Sequence, residues 1–500
     1  MSRLIIRSRR ALSRRDFIRY TFWSAGAAGA AAMLPACTSS GGGGAAGGGM
    51  RSRFADIGPL GEPDANGLSL PAGFTSRVVA VSNEPPVLGG TYLWHIFPDG
   101  GATYATEDGG WIYTSNSEVP AAGLISGGTG ALKFAADGTL EDAYSILSGT
   151  SSNCAGGKTP WATWLSCEEA DGGEVYECNP FEAGNGEARP ALGLFAHEAV
   201  TVDPVGRMLY LTEDTGDGRF YRFVPSALDW PATADRPTLQ EGKLQVLRFA
   251  TGARDATLDD AALSVTGVHA VIWEDVAQPD QAQAGVRTAL GAEAPGSRFR
   301  GGEGIWFFEG LIYFSTKGDN RIWCHDIAAQ TVEVIYDFAT ATEENKILSG
   351  VDNLTVSEFG DILVAEDGGD MQICVILPDR RLLPLLQASD LQAGTEAQSE
   401  ITGPAFSPDG SRLYFSAQRS GRNGVIGPGI TFEVTLPFSA CPTGFRLTPL
   451  TYKRPRPRLF SVRRVRRIAA GGRSYGLHFL NRLRFFAWAF LANPATAAAA

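Results

Sequence analysis

Histidine is scarce in this sequence, which has five in a chain of 500 residues. A zinc centre built mainly from histidine is therefore disfavoured, and the H-E-x-x-H pattern of zinc peptidases does not occur. Between residues 37 and 450 there is also no G-x-S-x-G nucleophile elbow and no GxxxxGK[ST] phosphate-binding loop. These absences leave carboxylate-based chemistry as the main possibility.

Cysteine shows no tight spacing that would indicate a disulfide framework. Apart from Cys37, the cysteines are at positions 154, 167, 178, 324, 374 and 441. A chain of this size does not need disulfides for stability, although a pair between Cys154 and Cys178 stays open. Cys324 and Cys374 lie in apolar, strand-like runs, which is typical of small core residues.

Glycine and proline are abundant, with 61 and 28 residues, and 44% of the chain is hydrophobic. This composition provides a large core and favours many short strands and turns over long helices. No apolar run after the N-terminal region is long enough to span a bilayer. We therefore expect a mostly β protein.

The net charge of -11 is distributed unevenly. Residues 1–36 carry seven Arg and one Asp, and residues 451–500 carry ten Arg, one Lys and no acid, so the region between them is strongly acidic. An acidic body repels nucleic acid and suits hard cations such as calcium. We expect the basic tail, residues 446–500, to be disordered and assign it no function.

The N-terminus resembles an export signal. Residues 13–18 (SRRDFI) resemble the twin-arginine motif, and an Ala/Gly-rich run follows it, so residues 1–36 are expected to be a signal peptide read by the twin-arginine machinery. Residues 34–37 (LPAC) resemble a lipobox in which Cys37 is lipidated; ordinary cleavage near Ala36 is the alternative. Residues 37–55 form a Gly-rich tether. The protein is then periplasmic or at the cell surface.

From about residue 77 onward the chain repeats one pattern, in which a glycine turn precedes an apolar strand that ends in polar or acidic residues. Strand ends recur about 50 residues apart, except for one interval about twice as long. The instances are GGWIYTSNSE (109–118), TWLSCEE (163–169), GRMLYLTED (206–214), GLIYFSTKGDN (310–320), GDILVAEDGG (360–369) and GSRLYFSAQR (410–419).

This period predicts an all-β fold, a β-propeller over residues 56–445. The long interval either contains a further blade, with VHAVIWED (268–275) as its strand, or is an insertion over residues 230–300. We favour six blades with a loop and helix insertion near the channel mouth, because residues 252–296 are rich in Ala, Gln and Asp.

Equivalent strands of propeller blades run in the same direction, so their ends converge on one mouth of the channel. Converging carboxylates repel one another unless cations neutralise them. The alternative is that each acid only begins a local turn, as it could for Asp352. The strand-end candidates for a metal site are Glu118, Cys167, Glu168, Glu213, Asp214, Glu366 and Asp367.

Further candidates lie between these strands. Glu198 follows His197 in an apolar strand, where an ionised side chain is costly unless it is paired or ligating. Glu303 is flanked by glycines that let backbone approach a ligand closely, and Arg300 supplies a guanidinium nearby. Arg300 and Lys317 are the candidates that could clamp the oxygens of a phosphate.

Four segments carry a resemblance to a known family: TPWATWLSCEE, FAHEAVTVDP, LYLTEDTGDGRFYRFVP and ITGPAFSPDGSRLYFSAQ. They resemble PhoX-type alkaline phosphatases over residues 60–435. The resemblance implies a phosphatase that hydrolyses small phosphoesters with Fe³⁺ and Ca²⁺. It also implies iron ligation by Cys167, with Glu168, Glu198 and Glu303 as carboxylate ligands; Glu213, Asp214, Glu366 and Asp367 are assigned by strand position alone.

One position departs from the family pattern, and two other functions stay open. Phosphatases of this family carry arginine two residues before the late glutamate, where this chain has Gly301 and places Arg300 one residue earlier. The alternatives are a calcium-dependent lactonase-like propeller and a lipid-anchored propeller that binds a partner without catalysis. Iron content discriminates, because neither alternative requires a thiolate.

Overall fold

The computed structural model describes residues 52–122, 125–254, 267–388, 399–420 and 427–438. The twin-arginine motif, Cys37 and the basic tail lie outside these residues. Phe54, which we expected in the tether, is 2% exposed and packs edge-on against Phe438, so the folded domain includes it. Among the described residues, no helix has both the length and the apolar character needed to cross a bilayer.

The secondary structure of the described residues is almost entirely β, as expected. The strands are β1 (Thr75–Val81), β2 (Pro98–Ala105), β3 (Trp111–Ser117), β4 (Gly127–Phe134), β5 (Leu140–Thr150), β6 (Asn153–Lys158), β7 (Trp164–Glu168), β8 (Val175–Cys178), β9 (Glu187–Ala188), β10 (His197–Asp203), β11 (Met208–Glu213), β12 (Phe220–Pro225), β13 (Gly242–Phe249), β14 (Val268–Asp275), β15 (Gly302–Phe308), β16 (Leu311–Thr316), β17 (Arg321–Asp326), β18 (Thr331–Asp337), β19 (Val351–Val356), β20 (Ile362–Glu366), β21 (Gln372–Ile376), β22 (Leu382–Gln387), β23 (Ile401–Phe406), β24 (Arg412–Ala417) and β25 (Ile430–Thr435). One α-helix, α1 (Gln283–Leu290), and four short 3-10 helices complete the described elements: Pro190–Leu192, Gly291–Glu293, Lys317–Asp319 and Glu343–Asn345.

These strands form four four-stranded antiparallel sheets and one sheet of nine strands. The four smaller sheets are β2 to β5, β6 to β9, β19 to β22, and β23 to β25 completed by β1. The nine-stranded sheet contains two further four-stranded meanders, β10 to β13 and β15 to β18, joined through β14. The described strands therefore make six meanders, and the pairing of β1 with β25 brings the first of these strands beside the last.

The segment VHAVIWED is not the inner strand of a further blade. It forms β14, which pairs with β13 on one side and with the edge strand β18 on the other. The α1 helix follows it in the chain. The interval between the third and fourth repeats thus contains a bridging strand and a short helix, as expected for an insertion.

The first strand of each meander faces a common centre. Strands β2, β6, β10, β15, β19 and β23 pack side by side in a closed ring and enclose a cavity of about 240 Å³. Glycines permit this close approach: a Cβ at Gly157 would overlap the carbonyl oxygen of Val200, and a Cβ at Gly304 would overlap the amide of Leu354. This arrangement is the β-propeller expected from the repeats.

Each of the six inner strands has an irregular register within its first residues. The ladder shifts between Pro98 and Gly101 in β2, and the same shift occurs at the same place in β6, β10, β15 and β19 and one residue later in β23. A bulge leaves one residue out of the ladder and changes the direction of its side chain. Six equivalent bulges therefore direct side chains toward one end of the ring.

Candidate metal centre

The bulged positions carry chemically reactive side chains. The second residue of five inner strands, which we name the inner set, comprises Asp99, Cys154, Glu198, Glu303 and Asp352. All five are buried, with exposed fractions between 0% and 8%. The sixth inner strand, β23, is preceded immediately by buried Glu400.

A second set lies at the channel mouth. In every meander, the residue directly after the second strand points to this end of the ring. These residues, the mouth set, are Glu118, Glu169, Asp214, Lys317, Asp367 and Gln418. Three of the strand-end candidates, Glu118, Asp214 and Asp367, belong to this set.

The two sets interdigitate into groups with the spacing of metal ligands. Among the residues that the structure describes, the ligand atoms of four groups of three residues lie within 4.8 Å of one another. One group combines a thiol with two carboxylates, and three consist of carboxylates alone. The groups are Cys154 with Glu118 and Glu169; Glu198 with Glu303 and Asp352; Asp99 with Glu118 and Glu400; and Asp352 with Asp367 and Glu400.

The carboxylate of Glu198 lacks the hydrogen-bond donors that a buried acid needs. Its side chain is fully buried, and Oε2 has no hydrogen-bond partner among the described residues. Its other oxygen accepts only a long hydrogen bond, 3.4 Å, from Asn353 Nδ2. Burial and the charges of Glu169 and Asp352 raise the pKa of Glu198 well above its ordinary value. A buried carboxylate oxygen without a donor fits a bound cation.

The same two causes act throughout the centre. Burial first, and then the charges of Asp214 and Glu118, raise the pKa of Glu169 to about 8. Burial is also the main reason that the pKa of Asp352 rises to about 7; Lys317 opposes the rise, and the charges of Asp367 and Asp214 add to it. Acid groups with raised pKa values in one cleft mark a candidate functional site.

Three side chains supply partial compensation. The Lys317 ammonium lies 3.0 Å from Glu303 Oε1, 3.3 Å from Asp367 Oδ2 and 3.6 Å from Asp214 Oδ2. Gln418 donates from Nε2 to both Asp99 and Glu118, at 2.7 Å each. Arg419 pairs with Glu400 at 2.7 Å. The acidic members still outnumber the cations by several to one.

We expect the metal-free protein to lose stability as the pH rises from about 5 to about 8. In this window an unfolded carboxyl group has released its proton, while Glu169 and Asp352 in the folded chain retain theirs, so the folded state binds more protons. Thermal unfolding of chelator-treated protein at several pH values measures this effect. The metal-loaded protein is the control and should gain stability over the same range, because protons compete with metal. Equal stability of the metal-free protein at both ends would contradict the prediction.

Three of the predicted ligands, Glu168, Glu213 and Glu366, do not join the centre, which corrects the sequence prediction. Each is the last residue of its strand, one position before the mouth set. Glu168 accepts hydrogen bonds from the amides of Ser151 and Glu174, at 2.8 and 3.0 Å. Glu366 accepts them from Ser349 and Gln372, at 2.7 and 3.0 Å. Each carboxylate therefore ties the segment that precedes the inner strand of its meander to the beginning of the third strand.

Glu213 has the same position but different partners. It accepts hydrogen bonds from the Arg219 amide at 3.0 Å, from Tyr221 Oη at 2.9 Å and from Arg287 Nη2 at 2.8 Å. Arg287 belongs to α1, is 5% exposed and also contacts Asp217. The insertion is therefore fastened beside the channel mouth, next to Asp214, where we expected it.

The predicted position of the thiolate is also corrected. Cys167 is fully buried on β7 in a hydrophobic cluster with Leu165 and Val175, and it belongs to none of the ligand groups. Cys154, on the inner strand of the same meander, is the cysteine that meets Glu118 and Glu169. The open pairing of Cys154 with Cys178 is not found, since both are free thiols.

The two predicted phosphate clamps differ in their surroundings. Lys317 belongs to the mouth set and has a side chain that is 34% exposed. Arg300 is partly exposed, and its carbonyl oxygen accepts a hydrogen bond from the Gly318 amide at 3.2 Å. Gly301 has a positive φ of 59°, and a Cβ there would come within 3.1 Å of Asp214 Oδ1. A larger residue at position 301 would therefore crowd the mouth.

Several members of the centre were missed as ligands by the sequence prediction: Asp99, Cys154, Asp352 and Glu400. They lie on or beside inner strands, whereas the prediction followed the more regular second strands. A usable signal exists, because Glu198 and Glu303 were found in inner strands and the other repeats have an equivalent position. Glycines one residue after Asp99 and Glu303, and two residues after Cys154, mark the same place.

Fold and site together define a class of protein, a β-propeller with a thiol and carboxylate centre at one end of its channel. The family described as "Alkaline phosphatase PhoX" matches residues 113–176, 170–335 and 325–421, which is more than half of the chain. The chain therefore belongs to the alkaline phosphatase PhoX family, a family of metal-dependent phosphatases. No curated protein matches this chain.

The comparison with solved structures supports the fold through one match. PhoX of Pseudomonas fluorescens in complex with vanadate, a transition state analogue, is similar with a TM-score of 0.59 and 16% identity, covering 76% of this chain and 98% of that one. A gluconolactonase of Xanthomonas campestris has a TM-score of 0.36 and 13% identity, with 77% and 96% covered. Regucalcin of Agrobacterium tumefaciens has a TM-score of 0.37 and 15% identity, with 72% and 93% covered.

Proposed function

We propose that this chain hydrolyses small phosphoesters at a centre that holds ferric iron and calcium in the channel mouth. The observation that carries the proposal is the donor set itself, a thiol and carboxylates with ligand atoms within 4.8 Å of one another, together with Glu198 Oε2, which is buried and has no donor among the described residues. Membership of a phosphatase family supplies the reaction class.

The chemistry of the donors supports a division between two metals. Thiolate suits iron better than calcium, whereas oxygen ligands suit calcium. The residues that would hold iron are Cys154, Glu118 and Glu169, and the all-carboxylate groups would hold calcium. When bound, the metal ions supply Lewis-acid stabilisation of the negative charge that develops on phosphoryl oxygens.

The protein's own side chains bind and orient the substrate in this proposal. Lys317 remains partly exposed beside Glu303 and Asp367, so its ammonium can contact a phosphate oxygen from the side of the mouth. Arg300 lies on the segment that contacts Gly318, the residue after Lys317, and offers a second cation. Both would stabilise phosphate oxygens through charge-assisted hydrogen bonds.

Export and anchoring are part of the same proposal. The motif at residues 13–18 supports transport by the twin-arginine machinery to the periplasm or cell surface, and Cys37 in LPAC supports attachment to the membrane through a lipid. Transport of an already folded chain is compatible with a centre that acquires its metal ions before export.

Metal analysis of the exported protein, combined with activity assays, tests the proposal. We expect iron and calcium to copurify, and hydrolysis of a phosphomonoester or phosphodiester to fall by about 100-fold or more after chelation and to return with the metals. A lactone substrate is assayed in parallel. Protein that contains calcium but no iron and opens the lactone would support the lactonase alternative, and inactive protein with no iron would overturn the proposal.

A further inference from the structure

Lys317 interrupts an otherwise acidic and polar ring. At the same position after the second strand, four meanders have Glu118, Glu169, Asp214 or Asp367, and one has Gln418. The propeller geometry places the six positions equivalently around the channel. A lysine at one of them therefore directs an ammonium to a place where the repeat otherwise supplies an oxygen ligand.

The contacts of this ammonium are those of a cation in a ligand group. Lys317 Nζ is within 3.0 to 3.6 Å of oxygens from Glu303, Asp367 and Asp214, on three different meanders. Glu303 also belongs to the group with Glu198 and Asp352, and Asp367 to the group with Asp352 and Glu400. The ammonium thus lies between two of the all-carboxylate groups.

The contact with Glu303 is electrostatic and not directional. Glu303 Oε1 is buried and has no hydrogen-bond partner among the described residues, although Lys317 Nζ is 3.0 Å away. An ammonium is a compact point charge, which can neutralise several carboxylates without a fixed hydrogen-bond geometry. This is the role that a metal ion has among converging carboxylates.

From this placement we propose that the Lys317 ammonium takes the place of one metal cation, so that the centre binds one calcium ion fewer than its ring geometry allows. The inference rests on the proposed function, since it concerns the same centre. It adds that this chain has a permanent cation among its ligands. That cation limits the number of metal ions and neutralises the carboxylates before metal is loaded.

Calcium stoichiometry of purified full-length protein and its variants tests the inference. Lys317→Glu places a fifth carboxylate among the six positions of the mouth set and should bind one additional calcium ion per chain in equilibrium dialysis with elemental analysis. Lys317→Met removes the charge alone; its metal-free form should unfold at a lower temperature, and its calcium affinity should increase by about tenfold or more. Lys243→Met is the matched control, because Lys243 is exposed and pairs with Asp275 away from the mouth.

The outcomes separate this inference from the proposed function. Wild-type protein that binds neither iron nor calcium overturns both. Wild-type protein that binds metal, with unchanged calcium number and affinity in Lys317→Glu and Lys317→Met, overturns the role of Lys317 alone. If Lys317→Glu does not fold, as judged by circular dichroism, the calcium affinity and metal-free melting temperature of Lys317→Met decide the question.

Discussion

Replacing Cys154 with serine is expected to remove iron from the protein and to lower phosphatase activity by about 100-fold or more, because the thiolate is the soft ligand of the centre. Replacing Cys167 with serine should leave the iron content unchanged. Cys167 is fully buried among apolar side chains, so a hydroxyl there costs about 1–3 kcal/mol of stability without affecting a ligand.

The two variants are matched, since both exchange a buried sulfur for oxygen within the same meander. Iron per chain is measured by elemental analysis, and a thiolate-to-iron absorption band in the visible spectrum provides a second readout. Loss of iron in Cys167→Ser, with iron retained in Cys154→Ser, would show that the structure identifies the wrong cysteine. Melting temperatures separate a lost ligand from a protein that has failed to fold.

The sequence predicted the propeller because its second strands repeat a strong local signal. Apolar runs such as GRMLYLTED are bounded by glycine and acidic residues. An apolar run between turn-forming residues predicts a strand from the local sequence alone. Inner strands such as NCAGGK are short, small and glycine-rich, because they pack closely around the channel. Their composition resembles a loop, and for this reason Cys154 was not recognised as a ligand.

Within the acidic pairs, the sequence could not tell which residue faces the channel. Glu168 and Glu169 have the same chemistry and are adjacent, but Glu168 accepts hydrogen bonds from two backbone amides, whereas Glu169 belongs to the candidate ligand group with Cys154 and Glu118. Only the strand register separates them, and a shift of one residue exchanges their roles. Contacts distant in sequence, such as Arg287 with Glu213, depend on how the insertion packs and have no local signal.

Replacing the buried Glu198 with glutamine is expected to stabilise the metal-free protein but to weaken metal binding and activity. In metal-free protein near pH 7, Glu198→Gln should increase the free energy of unfolding by about 1–3 kcal/mol, because folding must either protonate Glu198 or bury its charge without a donor beside Glu169 and Asp352, and a glutamine avoids this cost. In metal-loaded protein it should weaken metal binding and lower activity, because an amide is a poorer ligand than a carboxylate. The signs thus reverse between the two forms.

Glu213→Gln is the matched control for this reversal. Its carboxylate is equally buried but fully paired with Arg287, Tyr221 and a backbone amide, so the substitution should destabilise the protein with or without metal. Urea or thermal unfolding of chelated and metal-loaded samples compares the four cases. If Glu198→Gln destabilised the metal-free protein as Glu213→Gln does, Glu198 would have an unrecognised donor and the argument for a cation beside it would fail. If Glu198→Gln stabilises only the metal-free form, the unpaired Glu198 oxygen is a metal ligand, and the folded protein is less stable without metal because it holds that oxygen in place.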